Sequence, residues 1–165
     1  MHVLVLEIKK MLKNLDGWLD KTVDFAAHKK FDANTLLQAR LAPDMLPLVR
    51  QIQLACDHAK WCAARTAGKE APSHTDGETT VAECKQRIAT VIAYLDTFTA
   101  KDFENSDAVT VTHPRWEGRS MTGTNYLVES GLTNFFFHVT TAYALLRHNG
   151  VEVGKRDYIG PMTWK

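Results

Sequence analysis

At 165 residues the chain is long enough for one domain that buries roughly two-thirds of the surface its unfolded form exposes, so folding requires neither a metal nor a disulfide. Twenty basic residues against nineteen acidic ones leave a formal charge of +1, which argues against a nucleic-acid binder or a protein held to an anionic membrane by charge. Cys56, Cys62 and Cys84 are odd in number and lack compact spacing, and two of them fall on apolar helical faces, where a thiol behaves as a small hydrophobe, so a reduced, cytoplasmic protein is expected.

The first segment, MHVLVLEIKKMLKNLD, has a short apolar run that Glu7, Lys9 and Lys10 interrupt before a signal-peptide core can form. Nothing approaches the ~20 apolar residues of a membrane span, so a soluble protein with no membrane attachment is expected. Helix one is predicted over residues 2–28, with Leu4, Ile8, Met11, Leu15, Trp18 and Phe25 at helical spacing. Helix two is expected to start near Asp44 as its cap, with Pro47 in its first turn and Met45, Leu48, Ile52, Ala55, Ala59 and Cys62 as its stripe. Residues 67–79, AGKEAPSHTDGET, read as a solvated connection.

Thr79 or Thr80 precedes a third helix striped by Val81, Cys84, Ile88, Val91 or Ile92, Leu95 and Phe98. Residues 101–122 break the helical period. Val109, Val111 and His113 alternate with Thr110 and Thr112, a period of two that predicts a short extended piece turned by Pro114 and Gly118. A connection this long in a compact domain points to a lid or an interface.

Helix four opens at Thr122 or Thr124 and carries Tyr126, Leu127, Leu132 and the stripe Phe135, Val139, Ala142 and Leu146. His138 lies ~60° from the centre of that stripe and should face inward. Asn149-Gly150 stops the helix, both residues tolerating the left-handed conformation. The tail VEVGKRDYIGPMTWK returns over the surface, with Arg147, Lys155, Arg156 and Asp157 expected in a small ion-pair network above Tyr158. No repeat or low-complexity segment divides the chain, so residues 1–165 are one domain: an all-α four-helix bundle with a long crossover loop before the last helix.

Chemical motifs are few. GKRD lacks the GxxxxGK[ST] frame of a phosphate loop and follows a helix. No Ser/His/Asp order, CxxC or paired carboxylate stands out. Of seven histidines, His148 suits the helix dipole at a C-terminus. His113, in HPRW beside Trp116, suits packing of the crossover, and His2, His28 and His74 have no assigned role. His58 remains with His138, since Leu54 and Trp61 widen the apolar arc of helix two to enclose it.

The runs LAPDMLPLVRQIQ (41–53) and NFFFHVTTAYALLRHNGVEVGKRDYIG (134–160) closely resemble a domain-of-unknown-function family of the DinB/YfiT-like metalloenzyme superfamily. The resemblance implies a small helical bundle over nearly the whole chain, with helices two and four facing each other and His58 near His138. It also marks Asp44-Met45 as typical of the family. In metal-binding members, one histidine of helix two and two of helix four hold a divalent metal such as zinc or nickel. His58 and His138 match two of those positions, and the third falls on Ala142.

Three readings of the pair follow: core histidines satisfied by neighbours, a metal-free pocket, or a metal site completed by another donor. A small-molecule pocket between helices two and four with a degenerate metal site is favoured, with His58, His138, Asn134 and Thr141 as ligand-binding residues. A divalent-metal-dependent transferase or hydrolase, of the thiol-transferase type, with His58 and His138 as metal ligands is one alternative. A non-catalytic homodimeric interaction module is the other.

Overall fold

A computed structural model describes residues 1–165. Helix α1, His2–Lys29, buries Val5, Ile8, Met11, Leu12, Leu15, Trp18 and Leu19, the inward side of the expected stripe. It stops at Lys30, whose φ of 61° lets its N–H reach the carbonyls of Ala26 and Ala27. A 3-10 turn that sequence periodicity did not announce, Ala33–Gln38, follows, capped by Asp32 and pushing Leu37 into the core.

Helix α2, Leu48–Thr66, begins later than expected. Pro47 is its N-cap rather than a member of its first turn, and the Pro47 carbonyl accepts the N–H of Gln51 at 3.1 Å. Proline disfavours helical backbone in the residue before it, here Leu46, so the helix cannot be extended back to Asp44. Asp44 is exposed in a turn and caps nothing. Helix α3, Val81–Leu95, starts at a capping box in which Glu83 N–H bonds Thr80 Oγ1 and Glu83 Oε2 accepts from Thr80 N–H.

The connection between α2 and α3 is pinned rather than free. Lys60, 2% exposed, donates to the Pro72 carbonyl at 3.0 Å and sits 2.7 Å from His74 Nδ1. The Arg87 guanidinium pairs with Asp57 at 2.9 Å, Glu78 at 3.0 Å and Asp76 at 3.0 Å.

Residues 110–122 form the extended piece. Strands β1, Thr110–Thr112, and β2, Ser120–Thr122, pair antiparallel with Val111 opposite Met121. The tip holds a 3-10 turn, Pro114–Trp116, and residues Glu117 and Gly118 at positive φ. The fold is thus mostly helical but not all-α, because β-branched residues alternating over Val109–Thr112 favour a half-buried pleat.

The last long helical stretch is composite. Thr122 caps a single turn, α4, Gly123–Asn125; a π-helical turn, Tyr126–Gly131, follows; then comes α5, Leu132–His148. Gly150, at φ 94°, ends it. Helix α2 packs against α1, α3 and α5, so the four long helices share one core.

Val151 and Val153 are buried, and a short helix α6, Lys155–Ile159, closes the chain against α1. The expected network around Arg147 is replaced by a contact to α1. Asp157 pairs with Lys21 at 2.7 Å and accepts the Gly154 N–H, while Tyr158 stacks on Trp18 at 5.7 Å. The Trp18 indole donates to the Asp157 carbonyl, so a buried aromatic rather than surface charge anchors the tail. No helix is long and apolar enough to cross a membrane.

Candidate functional site

Four elements meet in a pocket of ≈ 170 Å³. Helix α2 supplies His58, Trp61 and Arg65, spaced by three and four residues and therefore on one face. Tyr126 and Ser130 come from the π turn and Asn134 from the first turn of α5. The hairpin tip contributes His113, Arg115 and Trp116, so the crossover segment forms part of the pocket wall.

His58 and His138 do meet. Their rings stack with centroids 5.4 Å apart at 21°, and Trp61 stands edge-on to His58 at 5.1 Å. Nδ1 of His138 lies 2.8 Å from Oε1 of Gln51. An amide oxygen only accepts, so the ring donates from Nδ1 and its free lone pair is on Nε2. Nδ1 of His58 is buried and has no hydrogen-bond partner.

Burial, and then the neighbouring His138, push the His58 pKa down to about 4, and burial also lowers His138. Burial disfavours the charged form of each ring, so both rings are neutral at pH 7.

The Arg65 guanidinium carbon lies 4.8 Å from the Trp61 ring centre and 5.5 Å from that of Tyr126, and Nη1 donates to the Tyr126 hydroxyl at 3.4 Å. Trp116 packs on Tyr126 at 6.2 Å and on His113 at 5.7 Å. The His113 ring accepts the Arg115 N–H on Nδ1 at 3.1 Å, which leaves Nε2 to carry the proton of the neutral ring.

Asn134 lines the pocket with its amide N–H₂ donated to the Ser130 carbonyl at 2.7 Å. Thr141 and His138 do not line it. The Thr141 hydroxyl is bonded to the Phe137 carbonyl at 2.7 Å, and His138 stands behind His58.

A divalent metal is not supported by these residues. Ala142 is fully buried and offers no donor. No group of three His, Cys, Asp or Glu side chains is arranged to hold an ion. A zinc or nickel site needs about three protein ligands, and the same pocket is lined by the Arg65 guanidinium, which repels a cation. Two neutral imidazoles alone fall short.

Arg65, Tyr126 and Arg115 were not singled out from sequence. Arg65 was within reach, since it lies seven residues after His58 on the same helical face. The π turn, which brings Tyr126 and Ser130 to the same wall, has no signature in the apolar period.

The sequence profile of DUF1993, a domain of unknown function, matches residues 1–159. A crystal structure of a DinB family member protein from Shewanella denitrificans is similar, at 50% identity and a TM-score of 0.94, over 98% of this chain and 92% of that one. No protein of curated function matches. Both the family profile and the solved structure span the helices and the hairpin that build the pocket, and the chain belongs to the DUF1993 family of DinB-like proteins.

Proposed function

We propose that this protein binds a small molecule, without metal, in the pocket between α2 and the Tyr126–His148 segment of a four-helix bundle whose metal site is degenerate. The carrying observation is the pairing of His58 with His138 where Ala142 occupies the third position, beside a pocket already walled by Trp61, Trp116 and Tyr126. Aromatic walls with a few placed polar groups are the usual make-up of a ligand site. Three buried free thiols support a reducing compartment, the cytoplasm.

Ligand-detected NMR against a library of small metabolites tests this reading, with Trp116→Ala as the control. Binders that lose at least tenfold in affinity in that variant are expected. Binders indifferent to it would move the site elsewhere.

A metal-dependent transferase or hydrolase is favoured by one feature. The Gln51–His138 bond is the kind of support that orients a ligating imidazole. That reading requires a third donor from outside the chain or from a bound substrate. It predicts zinc or nickel retained through gel filtration and lost in His58→Ala.

A further inference from the structure

The charge of the pocket is one-sided. Nine residues line it, and they include Arg65, Arg115, His58 and His113 but no Asp or Glu. Neither arginine has a carboxylate within ion-pair distance, whereas nine of the other eighteen Lys and Arg side chains do. Asp57, next to His58 in sequence, does not line the pocket and is paired with Lys60 and Arg87.

Arg65 is also held in place. Its guanidinium is stacked against Trp61 and Tyr126 with a single long hydrogen bond, so most of its N–H donors have no partner in the chain. A planar fork fixed between two rings is pre-organised for a carboxylate, and little side-chain entropy remains to be lost on binding. His113 adds an Nε2–H donor on the hairpin side.

The rest of the lining is flat. Trp61, Trp116, Tyr126 and the face of His58 supply ring surfaces, which suit a planar body rather than a bare inorganic ion. The volume is small beside the about 300–1,000 Å³ of drug-sized sites, which limits the ligand to about one ring with its substituents.

Resting on the pocket reading above, we propose that the ligand is a small planar carboxylate, an aryl or conjugated acid about the size of benzoate. Its carboxylate pairs with Arg65, and Arg115 supplies a second positive charge from the hairpin.

The test is calorimetric titration of the intact chain at low salt with benzoate, with benzamide as its neutral isostere, and with inorganic phosphate. Benzoate is expected to bind at least tenfold more tightly than either comparator. Arg65→Gln should weaken it tenfold or more, Arg65→Lys less, and added salt should weaken it further. Arg115→Gln, on an exposed side chain that folding does not depend on, should cost several-fold and guards against an Arg65 variant that unfolds.

Benzamide binding as well as benzoate would overturn the anion assignment and leave the pocket reading standing. Phosphate binding as well as benzoate would overturn the planar body. If neither benzoate nor benzamide bound up to ~10 mM, a scale corresponding to under about 3 kcal/mol, the assignment would fall. One zinc per chain, removed by His58→Ala, would instead overturn the metal-free pocket itself.

Discussion

His58 holds a buried nitrogen without a partner and a pKa near 4, and both facts have a measurable consequence. An unfolded histidine takes up its proton near ~6.5, whereas folded His58 stays neutral until about pH 4. The unfolded chain therefore binds the extra proton between those values. Stability is whole above ~6.5, declines as pH falls towards 4, and gains no further loss from this group below that. The lowered His138 acts in the same direction. Urea unfolding at pH 7 and pH 4.5 should show a smaller acid loss for His58→Phe than for the wild type, and an equal loss in both would contradict the assignment.

Cys56, Cys62 and Cys84 make a second case, since burial pushes each thiol up to about 12. The thiolate is the reactive form. A thiol reagent at pH 8 should find no fast cysteine in the native protein and three in denaturant. Native labelling within seconds would contradict the burial. At this scale the sequence was informative about which residues turn inward, since periodicity turned His58 and His138 towards the bundle interior and put Cys62 and Cys84 on buried stripes. Spacing puts Arg65 on the face of His58 but does not mark it as a cation that lacks a carboxylate.

The π turn between α4 and α5 depends on a close approach. A Cβ on Gly131 would come within 2.7 Å of Cys62 Sγ on α2. Gly131→Ala should therefore destabilise by about 1–3 kcal/mol through overpacking, and Cys62→Ala in the same chain should recover part of the loss. Full additivity in that double-mutant cycle would show that the two residues do not press on each other.

The α2–α3 connection depends on charge instead. Asp57 is shared by Lys60 and Arg87, both almost fully buried. Asp57→Asn leaves two cations under-compensated and should cost about 3 kcal/mol, read as a lower unfolding midpoint. A change within ~0.5 kcal/mol, the range of ordinary surface substitutions, would mean that the cluster is solvent-screened. Helix existence and most of the stripes were legible from apolar spacing, as was the short extended piece at Val109–Thr112. The start of α2 was misplaced because Pro47 outweighed the capping chemistry of Asp44. The α2–α3 loop is the solvated connection its composition suggests, but its anchoring through Asp76 and Glu78 was not legible, because polar composition is the same whether charges face water or a buried arginine.

Across the whole molecule, the crossover is what turns a packed set of helices into a pocket. Without the hairpin, His58, Arg65 and Asn134 would line an open groove between α2 and α5, and His113, Arg115 and Trp116 close it from one side. The facing of α2 and α5 came from a family resemblance rather than from spacing, and the hairpin's part in the wall from neither. A long-range arrangement of this kind is set by how β1, β2 and the π turn pack together, which no local period encodes.

The central claim is a metal-free pocket at His58, with His138 stacked behind it, and elemental mass spectrometry of untagged protein, before and after zinc and nickel are offered and free ion removed, tests it most directly. Well under 0.1 metal per chain in both samples is predicted, because two neutral imidazoles beside a guanidinium fall short of the about three ligands such an ion needs. One metal per chain that disappears in His58→Ala and in His138→Ala would contradict the account and require a third donor the fold has yet to reveal.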